Sequence, residues 1–135
     1  MNLKEKDIVV LYKLLVQYEQ RISKLTSDES LYREFAQYSG FWKRIPKILI
    51  VPEKAEKMPK SKDIPTKGDV IVMTKSKKTK LLSFINHLRN AFAHGTIVTD
   101  GAFVIFSDYN KNRKRFSALG KIKLSTFNEI LKLIK

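Results

Sequence analysis

Cysteine is missing from this 135-residue chain, so neither a disulfide nor a thiolate nucleophile is available, and a reducing cytoplasm is the simplest compartment. Glycine and proline are sparse, with 5 and 4 residues, which excludes collagen-like and low-complexity chains. Long apolar runs are missing too. Ile48 to Val51 and Ala102 to Phe106 are core-sized, far short of the ~18 apolar residues that span a bilayer. No membrane crossing is expected, and the mixed charges of Met1 to Asp7 argue against a secretory signal. No Gly-rich phosphate loop, His/Cys cluster or gathered set of Asp63, Asp69, Asp100 and Asp108 can be read from the spacing. P-loop hydrolysis, a zinc site and a hard-metal nuclease are therefore set aside, and neither a metal nor a cofactor is called for.

Acidic residues are the scarce charge. Thirteen Asp+Glu stand against 27 Lys+Arg, leaving a net charge of +14, far more than solubility requires. The natural partner is a polyanion, and the pattern has to separate nucleic acid from an anionic membrane surface. With 43% hydrophobic residues the chain should fold, and its length suits one domain spanning residues 1–135.

Apolar residues recur at three-and-four spacing from Lys4 to Leu25, which predicts a first helix. A second is predicted from Ser27 or Asp28, with Leu31, Phe35, Tyr38, Trp42 and Ile45 on one stripe, weakened by Gly40 and stopped by Pro46. Ile48 to Val51 fits either a last helical turn or a short strand. Residues 53–80 carry nine lysines (54, 57, 60, 62, 67, 75, 77, 78 and 80) and read as a long basic loop, with a short strand possible at Asp69 to Met73. Such a loop is either a solvated linker or a flap facing nucleic acid, with Lys75, Lys77 and Lys78 as candidate RNA contacts. A third helix is expected from Lys78 to His94, capped by Gly95. A β segment at 96–124 follows: a hairpin turning at Asp100-Gly101, a basic turn from Tyr109 to Arg115, and a possible third strand from Phe116. Ser125 is a candidate cap for a terminal helix buried through Phe127, Ile130, Leu131 and Ile134. In the basic turn, Lys111, Arg113, Lys114 and Arg115, flanked by Phe106 and Phe116, could contact phosphates and stack a base, or simply form a solvated turn.

The chemistry-bearing run is His87-Leu-Arg-Asn-Ala-Phe-Ala-His-Gly95. On a helix His87, Asn90 and His94 share one face, with Ile85, Leu88 and Phe92 roughly opposite and Arg89 at the edge of the apolar stripe. Arg89 and His94 are separated by about 7.5 Å along the axis and about 140° around it, so within one helix they point in different directions. Histidine exchanges protons near neutral pH, and a guanidinium can clamp a phosphate through two parallel hydrogen bonds. Those residues suit metal-free phosphoryl transfer in RNA, which supplies its own nucleophile, the 2′-hydroxyl. His94 would deprotonate or orient that hydroxyl, Arg89 would hold the scissile phosphate, and Asn90 would position phosphate or imidazole. Against this, a histidine before a capping glycine also makes an ordinary helix C-terminus. His87 is either an auxiliary acid–base group or a hydrogen-bonding histidine of the core or of a dimer face. A DNA-binding reading lacks any recognition helix.

The stretch Leu88-Arg-Asn-Ala-Phe-Ala-His-Gly95, ending an amphipathic helix, resembles the signature of the HEPN superfamily (higher eukaryotes and prokaryotes nucleotide-binding domain). That signature is an Arg, four to six residues, then a His, often with a polar residue directly after the Arg; Arg89, Asn90 and His94 occupy those places. The match is firm over about the last 55 residues and holds only in helical layout before them. The resemblance implies a mainly α, up-and-down helical bundle, here with a small C-terminal β-hairpin or three-strand meander and a terminal helix. It implies a homodimer whose motif helices meet in a composite site. It also implies a metal-independent endoribonuclease, of the kind found in toxin–antitoxin or phage-defence systems, with an antitoxin protein as a possible partner. The alternative within the family is a catalytically silent module that binds RNA or a protein partner. The strand segment and the Lys-rich insertion depart from the simplest members.

Overall fold

The computed structural model describes residues 2–61 and 63–135; Met1, and Lys62 of the basic run, lie outside the described residues. Helix α1 covers Glu5–Gln20, continued by a 3-10 turn at Ile22–Lys24. The predicted second helix is three pieces: α2 at Asp28–Glu34, a 3-10 turn at Ala36–Tyr38, and the single turn α3 at Phe41–Arg44. Ser27 caps α2 through a reciprocal box with Ser30. Phe35 leaves helical geometry at φ −137°, ψ 81°, and Gly40 turns left-handed at φ +73°, a conformation cheap only for glycine. Leu31, Phe35, Tyr38, Phe41 and Ile45 are nevertheless buried. The stripe was kept by three short pieces wrapping one core, so the continuous helix was wrong. Trp42, expected on that stripe, is only half-buried, edge-on to Phe41 and under the Lys80 ammonium.

The expectation of a mainly α bundle is overturned. Among the described residues, five α-helices accompany a five-stranded mixed sheet, and the fold is α/β. Its strands are β1 (Leu49–Glu53), β2 (Val70–Thr74), β3 (Ile97–Asp100), β4 (Phe103–Asn110) and β5 (Arg115–Lys123), in the order β1-β2-β5-β4-β3. The ambiguous Ile48–Val51 run thus resolves to strand, pairing in parallel with β2, while the other neighbours are antiparallel. Residues 53–80 are therefore not simply a loop. They supply β2, an inner strand that joins β1 to the C-terminal meander, and a 3-10 turn at Ala55–Lys57. The hairpin and third strand expected at 96–124 form as β3, β4 and β5.

Alternation explains how the sheet is covered. Ile71 and Met73 of β2, Val104 and Phe106 of β4, and Ala118 and Ile122 of β5 join the main core, which contains the helices' buried residues. Val72 and Leu119 face the other way and meet Met58 and Ile64 from the β1–β2 connection. Both faces are thus shielded, one by helices and one by the connection. Gly120 is obligatory where β5 crosses β2, since a Cβ there would sit 2.6 Å from Ile71 and 2.8 Å from the Val70 carbonyl.

Helix α4, at Lys80–Ala93, crosses the sheet from the β2 end to the far edge strand β3. Thr79 caps its start by accepting from the Leu82 N–H. Helix α5, at Leu124–Ile134, follows β5 directly. Its cap position is Lys123, so Ser125 lies inside the helix and not at its cap. Phe127, Ile130, Leu131 and Ile134 are buried as expected. Among the described residues no helix is long and apolar enough to cross a membrane.

Candidate functional site

The sheet-facing side of α4 carries an unusual load. Amid Leu81, Phe84, Leu88 and Ala91 it buries His87, which is only 1% exposed. A buried imidazole needs partners, and both ring nitrogens have them. Nδ1 lies 2.9 Å from Asp108 Oδ2, and Nε2 lies 2.8 Å from the Thr74 carbonyl oxygen. A carbonyl and an ionised carboxylate can only accept, so the ring carries a proton on each nitrogen. The contact is then an imidazolium–carboxylate pair.

Asp108 comes from β4, on the face that also presents Val104 and Phe106. The β4–β5 register slips beside it: Asp108 pairs with Ala118 but Tyr109 with Phe116, leaving Ser117 as a bulge. The slip also lets Phe116 and Leu119, three residues apart, share a face and pack with Met58. Burial by itself would raise the Asp108 carboxyl. Hydrogen bonds from His87 and Asn90, the His87 charge and the neighbouring Ser117 hydroxyl outweigh it and hold the carboxyl below the usual carboxylate range.

Asn90 links this buried pair to the surface. Its amide nitrogen donates to Asp108 Oδ2 at 3.1 Å, which leaves its oxygen to accept from Arg89 Nη1 at 2.6 Å. Asp108 thereby fixes which way the amide points. The Arg89 guanidinium lies 5.5 Å from the Tyr18 ring centroid. Its other terminal nitrogen pairs with the carboxylate of Glu19, and its Nε is buried with no hydrogen-bond partner among the described residues. Burial raises the Tyr18 hydroxyl, and the Arg89 charge opposes that rise. The same hydroxyl donates to Asn86 Oδ1 at 2.6 Å.

His94 ends α4 in a Schellman turn. Gly95 at φ +69° donates to the Phe92 carbonyl and Thr96 to that of Ala91. Capping through Gly95 uses only the backbone of His94, whose side chain is exposed and takes part in no hydrogen bond among the described residues. It opens onto a cleft of about 680 Å³ shared with Asn90, Asp108, Tyr109 and Lys111. A smaller cavity of about 290 Å³ abuts it, walled by the same Asn90, Asp108, Asn110 and Ser117 and extending to His87, Arg113 and Arg115.

Of the residues marked in the sequence, Asn90, His94 and Lys111 meet in the larger cleft, and His87, Asn90, Arg113 and Arg115 in the smaller. Arg89 lies outside both, turned to α1. Arg115 is partly structural, donating from Nη1 to the Ala55 carbonyl at 2.5 Å. Lys114 turns the β4–β5 connection at φ +52°. Lys75 and Lys78 are exposed and Lys77 half-buried ahead of α4, and none of the three lines either cavity. Sequence reasoning missed Asp108, Glu19, Asn86 and Asn110. The only local hint for Asp108 was an acid closing an apolar strand run, a place where a carboxylate needs a partner.

No curated protein and no solved structure shows significant similarity to the chain. Residues 7–135 match the family model described as HEPN pEK499 p136, and a match over nearly the whole length means that the chain belongs to this HEPN family.

Proposed function

We propose that the protein is a metal-independent endoribonuclease in which Arg89, Asn90 and His94 act on the scissile phosphate. The observation that carries this reading is the exposed, unbonded His94 side chain beside Asn90 and Lys111 in an open cleft. A histidine serving only to end the helix would have no need of that cleft. Membership of a HEPN family, generally associated with ribonuclease activity, and the charge of +14 support it. In the proposed step the 2′-oxygen attacks phosphorus while His94 takes the hydroxyl proton. The bond from phosphorus to the 5′-oxygen breaks, and that oxygen leaves with a proton from water or from an imidazolium. The product ends are a 2′,3′-cyclic phosphate and a 5′-hydroxyl. Arg89 would stabilise the charge on the phosphoryl oxygens.

Because Arg89 faces α1 and His94 faces the cleft, one copy presents the two groups on opposite sides of Asn90. This geometry favours a homodimer in which a second copy completes the site. An antitoxin partner and a role in phage defence are extensions of the same reading. The non-catalytic alternative, an RNA- or partner-binding module, draws on one observation: the guanidinium is already occupied by Glu19 and Asn90. Incubation with single-stranded and structured RNA in excess EDTA decides between them. Cleavage leaving cyclic phosphate ends, and lost in His94→Ala, is expected. Salt-sensitive binding without cleavage would leave the module reading standing.

A further inference from the structure

We propose that the smaller cavity is a pyrimidine-reading pocket that selects the nucleotide next to the scissile phosphate; the link to cleavage rests on the nuclease reading above. Once the pocket's internal bonds are made, the hydrogen-bonding capacity left over has a definite sense. Asn86 is used at both ends, accepting from Tyr18 and donating to Ser76 Oγ at 2.9 Å. His87 is used at both nitrogens, and Asn90 at both ends of its amide. Arg115 is tied back to the main-chain oxygens of Ala55 and Arg113 through Nη1 and Nε, which leaves Nη2 as a donor. The Ser76 and Thr74 hydroxyls can turn either way and so fix no preference.

Donors dominate what remains: Arg115 Nη2 and the second N–H of the Asn86 and Asn90 amides are unspent, and three further groups have a fixed sense. Asn110 accepts from the Arg113 N–H through its oxygen at 3.1 Å, which leaves its amide nitrogen as a donor. The Arg113 guanidinium has no hydrogen-bond or ion-pair partner among the described residues, and is a second donor. His87 and Asn90 both meet Asp108 at Oδ2, which leaves Oδ1 as the acceptor. A surplus of donors around one fixed acceptor suits a pyrimidine's pairing edge, which offers two acceptors and one donor. Uracil offers two carbonyl oxygens about an N–H, and cytosine offers O2 and N3 with one amino group. Guanine presents a surplus donor on that edge, and adenine has no carbonyl at all.

Size and position agree with this. A volume of about 290 Å³ lies at the lower limit of the ~300–1,000 Å³ usual for small-molecule sites, which favours the single-ring bases. The common wall of Asn90, Asp108, Asn110 and Ser117 means that a base seated in the pocket directs its sugar and phosphate into the cleft of His94 and Lys111.

The test has two arms. In the first, UMP, CMP, AMP and GMP are titrated into the full chain and followed by amide chemical shifts. The pyrimidine nucleotides should bind about five- to tenfold more tightly than the purines, the effect of one well-made hydrogen bond. Asn110→Ala and Arg113→Ala, changes at a half-buried and an exposed position outside the core, should each erode that margin. Equal binding, a purine preference, no binding by any nucleotide, or a margin that survives both substitutions overturns the pocket. In the second arm, cut sites are mapped on an RNA of random sequence. A pyrimidine should be enriched at one fixed position beside the cut, and the enrichment should fade in Asn110→Ala. Cleavage without such a preference overturns the pocket while leaving the nuclease intact. Pyrimidine binding with no cleavage at all supports the pocket and removes the nuclease.

Discussion

The two histidines of this chain sit seven residues apart on one helix face and have opposite fates. His87 is buried, and each nitrogen is committed to a fixed acceptor. His94 is exposed, and the turn that holds it employs only its main chain. The first has exchanged reactivity for structure; the second is held in place with its ring open to the cleft. Sharing a helical face therefore says little about sharing a role, because His87 lies buried over the sheet and His94 stands at the exposed C-terminal cap of α4.

The sharpest way to break the contrast is to remove each imidazole in turn. His94→Ala should lower RNA cleavage by about 10²- to 10⁴-fold, the usual worth of a general acid–base group. Its thermal midpoint should stay near that of the wild type, since the exposed side chain makes no hydrogen bond among the described residues. A His94→Ala protein that cuts at the wild-type rate would return His94 to a plain helix terminus.

His87→Ala and Asp108→Ala should do the reverse, acting first on stability. Each strands a buried charge, which costs about 3–5 kcal/mol, measured by urea unfolding. The double variant should lose less than the sum, because neither charge is then left alone. Strict additivity would mean that the two groups do not act as a pair.

The pair also has a pH signature, and its sign follows from Asp108. Its carboxyl is held below the ordinary value in the folded state, against about 3.9 when unfolded. The stabilisation is therefore complete above about pH 4, and it declines as pH falls through the lower, folded value. The stability gap between wild type and Asp108→Asn should close as the pH falls below about 4. A gap that first narrows on the alkaline side of 5 would assign the acid response to some other carboxylate.

How much of this was legible beforehand varied with range. The helices α1 and α4, the Gly95 cap and the Asp100-Gly101 turn are local signals, and each was realised, although α1 stops at Gln20 and leaves Tyr12 exposed. The second helix misled because Leu31, Phe35 and Tyr38 keep helical spacing through a chain that leaves the helix at Phe35. The sheet was underestimated because β1 joins the meander only through β2, five residues in a lysine-rich stretch, paired with partners far away in sequence. Arg89, Asn90 and His94 could be marked from their spacing. Asp108, which orients Asn90 and holds His87, could not, because a hairpin brings it back to α4 from 18 and 21 residues further on. No periodicity reports such a return.

The smallest effect bears on Arg89, which stands between the two histidines in character: part-buried, yet aimed at an exposed acid. Glu19 is 53% exposed, so water screens its pairing with Arg89, and Glu19→Gln should change stability by no more than about 1 kcal/mol. Its effect on RNA should be opposite in sign. If the guanidinium clamps a phosphate, the α1 carboxylate occupies the place the phosphate must take, and bound RNA has to displace it. Removing the charge should then tighten RNA binding a few-fold at low salt, with the gain shrinking as counterions screen both anions. Weaker binding in Glu19→Gln would mean instead that Glu19 holds Arg89 in its working orientation. Arg89 would then resemble His87, a residue whose contacts are complete before any substrate arrives.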